Sequence, residues 1–272
     1  MGSVQIKENE VVDTLKKSGI KIIQDRKKFC FGIDAVLLAD YAKSGIRKGS
    51  AVIDLGTGTG IIPFLLSSES NAAFIKALEI QEESADMASR SVALNNLESK
   101  IQVVQGDIKN ALKIFGSSCA EAVTCNPPYM IAQHGKQNPI DYKAIARHEV
   151  LCNLDDIVRN ASGLLKPSGL FYMIHRPFRL AEIFVTLSKY HLEPKRMRLV
   201  QPFIDKEPNM VLIEARKNAN SRITVEKPLV VYNTIHPANT LTKSKRFMKS
   251  AEILFSAANV HLTAYNLFCI IN

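Results

Sequence analysis

No two cysteines of this sequence stand at C-x-x-C spacing, and no group of cysteines and histidines assembles a metal-ligand pattern. Cys30, Cys119, Cys125, Cys152 and Cys269 are scattered. They read as buried thiols in a reducing compartment, the cytoplasm, with no metal site and no disulfide framework. A signal peptide is also missing, because Met1-Gly2-Ser3 runs into polar sequence. No segment before the last residues is apolar enough to span a bilayer. Internal repeats, low-complexity tracts and Gly/Ser linkers are lacking, so the 272 residues read as one large domain, alone or with an appendage. The 46% of apolar and 22% of charged residues are ordinary for a folded soluble chain.

What is present begins with an imbalance of charge. Residues 1–165 carry 19 Lys and Arg against 19 Asp and Glu, whereas residues 166–272 carry 16 against 7. The whole formal charge of +9 therefore lies in the second part. A neutral part beside a basic one suits a small-molecule site coupled to a surface that meets a polyanion, and equally a solvated basic face. Arg176, Lys195, Arg196 and Arg198 are the first candidates for phosphate contacts.

Strand-length apolar runs alternate with segments of helical period. Strands are expected at Ala51–Leu55, Phe74–Glu79, Ile101–Gln105, Ala120–Cys125 and Gly169–His175. Helices are expected at Ile61–Ser68, Glu82–Leu97, Leu154–Leu165 and Arg179–His191. That alternation implies a parallel sheet covered on both faces. Arg196–Ile204 and Asn209–Arg216 are joined by a short polar connection, and strands so close in sequence pair as an antiparallel hairpin. The expected fold is a doubly wound α/β sheet of seven strands with a C-terminal antiparallel hairpin. Residues 1–45 form an approach segment, with small strands at Gly19–Gln24 and Lys27–Phe31 and a helix from Asp34, its N-cap, to Ala42. Residues 46–233 make the main domain, and 234–272 a tail of uncertain origin. The tail is basic over Thr240–Lys249 and mostly apolar over Ala251–Ile271, but Asn259, His261 and Asn266 interrupt it, so it is no membrane anchor.

Val52–Gly60 reads Val-Ile-Asp-Leu-Gly-Thr-Gly-Thr-Gly, a buried strand running into a glycine turn. Gly56, Gly58 and Gly60 let the backbone turn tightly and approach a ligand with no side chain between. Dinucleotide sites use G-x-G-x-x-G around a pyrophosphate, whereas here the spacing is G-x-G-x-G and Asp54 stands before it. A carboxylate there repels phosphates but suits a cofactor with an ammonium group and a sulfonium. Glu79 ends the next strand, 19 residues after Gly60, where an acid accepts both hydroxyls of an adenosyl ribose. Asp107, after the third strand, is placed either to bond an adenine amino group or to make a turn.

Thr124-Cys-Asn-Pro-Pro-Tyr129 ends the fourth strand and points to the reaction. Pro127 and Pro128 fix the backbone and remove two N–H donors, so the loop offers carbonyl acceptors. An aromatic amine is a poor nucleophile because its lone pair is delocalised into the ring. If the Asn126 side-chain oxygen and the Pro127 carbonyl each accept one N–H, the lone pair is localised and aimed at an electrophilic methyl group. That is positioning and electrostatic stabilisation, with no strong base. Tyr129 supplies a ring on which a flipped-out base can stack. Met130–Arg147 reads as a polar loop over the site, and Arg147-His148-Glu149 as a substrate clamp or a helix start. His175-Arg176-Pro177 ends the fifth strand at the same sheet edge, where a phosphate contact fits.

With these residues in place, the chain from about Lys21 to Asn233 resembles the bacterial tRNA adenine-N6 methyltransferase family that modifies position 37 of a valine tRNA. The resemblance rests on Phe31–Ala39, Val52–Gly60, Glu79-Ile-Gln81, Ala85–Ala88 with Asn95-Asn96, Asn126–Tyr129, Ala146–Glu149, His175–Pro177 and Pro228–Tyr232. It implies a class I, Rossmann-like fold, S-adenosyl-L-methionine as cofactor, and tRNA as the partner, with no membrane and no obligate protein partner. It also implies cofactor contacts from Phe31, Asp34, Asp54, Gly56, Gly58, Gly60, Glu79, Ile80, Asp107, Ile108 and Asn126. Catalysis would fall to Asn126, Pro127, Pro128 and Tyr129, and substrate binding to Tyr129, Arg147, His148, His175 and Arg176. Other readings of the same motifs are methylation of a protein glutamine amide, a DNA adenine methyltransferase, and a non-catalytic RNA-binding protein that keeps the fold.

Overall fold

The computed structural model of the protein describes residues 4–15, 18–25, 27, 31–128 and 152–232. Strands β1 (Glu10–Thr14) and β2 (Lys21–Asp25) form an antiparallel hairpin apart from the main sheet. The partner of β2 is Glu10–Thr14, a strand not foreseen, while most of the expected strand Lys27–Phe31 lies outside the described residues. Helix α1 (Ile33–Lys43) follows, and its N-cap is Gly32, so Asp34 lies in the first turn instead of capping it. A carboxylate there still favours the positive end of the helix.

The main sheet begins with β3 (Ala51–Leu55), α2 (Ile61–Glu69), β4 (Phe74–Glu79), α3 (Glu82–Leu94) and β5 (Ile101–Gln105). A 3-10 turn (Ile108–Asn110) and α4 (Ala111–Phe115) lead to β6 (Ala120–Cys125). Beyond it come α5 (Leu154–Leu164), β7 (Leu165–His175), a 3-10 turn (Pro177–Arg179), α6 (Leu180–Lys189), β8 (Leu192–Phe203) and β9 (Met210–Lys217). Two short strands close the series, β10 (Thr224–Val225) and β11 (Leu229–Tyr232). The sheet runs β10-β8-β9-β7-β6-β3-β4-β5, with β11 also on β8. Its seven central strands match the expected order and hairpin, and β10 and β11 add two, giving nine. Helix α3 stops before the expected Leu97 because Asn96 takes a left-handed backbone, φ 54°. No helix among the described residues is long and apolar enough to cross a membrane.

The two-residue period of the strands sorts side chains onto two cores. Val52, Ala122, Tyr172, Ile174 and Leu212 face the layer of α1 and α2. Ile53, Val123, Phe171, Met173, Val211 and Ile213 face α5 and α6. β3, β4, β5 and β6 were legible to the residue as short, mostly apolar runs of strand length set between helical segments.

The chain leaves β3 toward β4 and β5 on one side and later crosses to β6 on the other. The carboxyl ends of β3 and β6 therefore flank a topological switch point, where open α/β sheets hold their ligands.

Candidate active site

At that switch point the turn after β3 is built from three left-handed glycines, Gly56 (φ 72°), Gly58 (φ 57°) and Gly60 (φ 89°). An L side chain is strained in that conformation, so the sequence folds this way only with glycine. The Gly56 and Thr57 N–H groups both donate to the Leu78 carbonyl, at 2.9 and 3.0 Å, which pins the loop to the end of β4. A Cβ at Gly58 would meet nothing within 4 Å, and one at Gly56 only Ile108 Cδ1 at 3.8 Å. The turn thus borders open space, with Ile108 on its far side.

Asp54 and Thr124 are register partners on β3 and β6, and the Thr124 hydroxyl donates to Asp54 Oδ1 at 2.6 Å. Asp54 is fully buried. Its Oδ2 and the nearby Thr57 hydroxyl are buried without a hydrogen-bond partner among the described residues. Burial pushes the Asp54 carboxyl up to about 7, the Thr124 hydroxyl pulls it back, and the Glu79 charge adds to the rise. An orphaned acid that resists ionising is an unfinished site, suited to a ligand cation.

Glu79 is buried at the end of β4. The Gly58 N–H donates to its Oε2 and the Gln81 N–H to its Oε1, each at 2.8 Å. A carboxylate oxygen accepts more than one hydrogen bond, so both oxygens remain able to receive ribose hydroxyls while the amides fix their aim. Ile80 is half-buried beside it. The Asp107 Oδ1 accepts from the Lys109 N–H at 2.9 Å, so the turn role weighed for Asp107 is realised.

Phe31 and Asp34 approach from the N-terminal segment. Phe31 is buried, and its N–H donates at 3.3 Å to Oε1 of Gln24, a fully buried amide that also donates to Asp13 Oδ2 at 2.6 Å. A Cβ at Gly32 would stand 2.6 Å from Asp34 Oδ1, so a side chain there would push the Asp34 carboxylate aside. Sequence reasoning missed Gln24, Thr57 and the bond made by Thr124. An amide among the apolar residues of β2 was the available signal for Gln24.

Asn126 follows β6 directly and is half-buried, with Pro127 buried and Pro128 exposed. Cys125 faces the opposite core, and burial raises its thiol far above the usual range, so it is no nucleophile. Tyr129, Arg147 and His148 lie outside the described residues.

His175 corrects an expectation. The imidazole is 1% exposed and presents no surface to a phosphate. Burial first, and then the charges of Arg179 and Arg176, lower it to about 4, so the ring is neutral at physiological pH. Its Nδ1 accepts from the Arg176 N–H at 2.7 Å. The guanidinium of Arg176 reaches the Asn209 carbonyl at 3.0 Å. Arg196 is likewise a tie within the fold, with Nη2 2.7 Å from Glu214 Oε2, Nη1 2.9 Å from Glu226 Oε1, and Cζ 4.7 Å above the Tyr41 ring. Lys195 and Arg198 donate to the Asn220 and Lys227 carbonyls at 2.8 and 3.0 Å.

Comparison with known proteins agrees with this architecture. A tRNA1(Val) (adenine(37)-N6)-methyltransferase of Porphyromonas gingivalis is 29% identical over 213 residues, 76% of this chain and 81% of that protein. A protein of the same name from Parabacteroides distasonis is 28% identical over 201 residues, 72% of this chain and 82% of its own. Among solved structures, a predicted O-methyltransferase from Agrobacterium tumefaciens superposes with a TM-score of 0.61 at 21% identity, covering 85% of this chain and 99% of that one. The methyltransferase small domain matches residues 33–189, from the first turn of α1 through the end of α6 and so across the whole glycine-loop and Asn-Pro-Pro site. The chain belongs to the methyltransferase small domain family.

Proposed function

We propose that this protein methylates N6 of an adenine in tRNA, the adenine at position 37 of a valine tRNA that its relatives are named for. The cofactor is S-adenosylmethionine, which when bound supplies an electrophilic methyl group on a sulfonium. Asp54 and Thr57 offer the buried acceptors for its cationic end, the Gly56–Gly60 turn makes room for its approach, and Glu79 receives the ribose hydroxyls. Phe31, Asp34, Ile80, Asp107 and Ile108 complete the lining. The Asn126 side-chain oxygen and the Pro127 carbonyl each accept an N–H of the target amine, holding its lone pair out of conjugation. With no strong base beside the amine among the described residues, the proton that the nitrogen would lose on methylation would go to water. Tyr129, Arg147, His148 and Arg176 serve the RNA. Cys119, Cys125 and Cys152 are free thiols, in keeping with a cytoplasmic setting.

One observation carries the reading. Asn126-Pro127-Pro128 leaves β6 at the same carboxyl edge where its neighbour β3 delivers Asp54 and the glycine turn, which supports one site for the amine acceptors and the cofactor. The test is transfer of labelled methyl groups to unmodified tRNA, followed by mass spectrometry of the nucleosides. N6-methyladenosine is expected. Label in another nucleoside, or only in a protein glutamine, would overturn it.

A further inference from the structure

One ring stands apart at the rim of the site. Phe178 is 68% exposed, the only exposed aromatic side chain among the described residues. A lone exposed apolar residue means little by itself. Its setting says more. Phe178 sits in the turn Pro177–Arg179 that follows β7, and β7 runs parallel to β6, so the turn leaves the sheet at the same edge as Asn126-Pro127-Pro128. The turn is rigid. Pro177 fixes its own φ, and the Arg179 N–H donates to the Arg176 carbonyl at 3.2 Å. Both flanking guanidiniums are drawn aside, Arg176 toward Asn209 and Arg179 onto the Glu182 carboxylate at 2.6 and 2.7 Å. What projects is the ring, flanked in sequence by Arg176 and Arg179. Ile204, 64% exposed in the β8–β9 turn to which Arg176 is tied, extends the same rim.

We infer that this rim receives single-stranded RNA, with Phe178 stacking on a base beside the target adenine. Every base has a π-face, and an aromatic side chain held outward over cationic groups is the general device for binding unpaired strands. The rim itself balances Arg176, Arg179 and Lys206 against Glu182, Asp205 and Glu207, so RNA is selected as the occupant by the proposed tRNA reaction at the adjoining Asn126-Pro127-Pro128 end of β6 and not by net charge. A rigid platform also loses little freedom on binding, which favours contact. The inference rests on the proposed tRNA reaction and names the surface that would take the nucleotide beside its target.

The full chain with Phe178→Ala, Phe178→Leu or Phe178→Tyr tests it, through affinity for an unmodified anticodon stem-loop and single-turnover methyl transfer. Alanine and leucine are expected to raise Kd and KM for RNA by roughly 5- to 100-fold, the range for losing one stacked base. Tyrosine should bind like the wild type, while kcat and S-adenosylmethionine affinity stay constant in all three. Leucine matching phenylalanine would overturn the stacking role, as would unchanged RNA binding by the alanine variant. So would a wild-type dimer in sedimentation that the alanine variant dissolves, since the ring would then cover a second copy. If RNA binding depends on Phe178 but no adenine is methylated, the reaction is wrong and the platform stands. If adenine is methylated and the variants all match the wild type, the platform is wrong and the reaction stands.

Discussion

Asp54 is an acid held where it would rather not ionise. Its carboxyl sits at about 7 in the fold, against an ordinary aspartate value near 4 in the unfolded chain. Between roughly pH 4 and 7 the folded chain binds a proton that the unfolded chain lacks, so the contribution of Asp54 to stability falls as pH rises through that interval. A cofactor cation brought beside it favours the ionised form and expels the proton, so affinity for S-adenosylmethionine should climb over the same range. Asp54→Asn should flatten both trends. Thermal unfolding and calorimetry from pH 5 to 8 read them, and a wild-type affinity indifferent to pH would count against a cation at Asp54. Asn126 carries a different expectation, because its contact with the amine strengthens as charge develops on nitrogen. Asn126→Ala should slow single-turnover transfer by ~10²-fold with cofactor affinity unchanged. Near-normal transfer by that variant would remove the amine-holding role.

The N-terminal hairpin shows what one helix face can hold. Arg90 on α3 donates to both carboxylate oxygens of Glu10 on β1, at 2.5 and 2.8 Å, and to Asp86, which also takes Lys7. Ser91 on the same helix and Asn95, which caps its end, bind the β2 backbone at Ile23 and Lys21. Through Gln24 the hairpin also holds the backbone at Phe31. Arg90→Ala strands the well-buried Glu10 carboxylate and should cost ~1–3 kcal/mol in urea unfolding. The Arg90 bonds hold the Glu10 and Asp86 carboxyls below their usual values, so this stability is present near neutral pH and is lost as pH falls through their lowered range. A wild-type and variant pair with equal midpoints would show the clamp to be idle. This hairpin was half legible in the sequence. Gly19–Gln24 has the apolar run of a strand, but Glu10–Thr14 is polar because its side chains answer Arg90 and Gln24 across the fold. The glycines were legible for the opposite reason, since a backbone turn dictates its own residues, and Asp54 and Glu79 stood out as acids in apolar strands spaced about that turn. Thr57, Thr124 and Gln24 act through neighbours that only the sheet brings together, and no spacing announces them.

Over the whole molecule, the basic excess is partly internal. Arg196→Ala leaves the nearly buried Glu214 unpaired and should lower stability by ~1–3 kcal/mol while changing the salt dependence of tRNA binding little. Lys206, exposed in the β8–β9 turn at the rim, should behave the other way, its loss flattening the slope of log affinity against log salt by up to roughly one unit. Titrations at several salt concentrations separate the two, and identical slopes for Lys206→Ala and wild type would take that lysine out of the interface. The two strands that the sequence did not foretell bear on another matter. β10 pairs with Arg196–Met197 and β11 with Val200–Phe203, both on the flank of β8 that β9 leaves bare. An uncovered strand is a template on which a second chain can crystallise, rung by rung, into a fibril. Here the chain caps its own ladder with two short pieces and breaks their run with Pro228, so the sheet ends instead of propagating. A polypeptide stopped before Thr224 would lose that terminator together with the buried Val231 and Tyr232, and aggregation would be expected to follow.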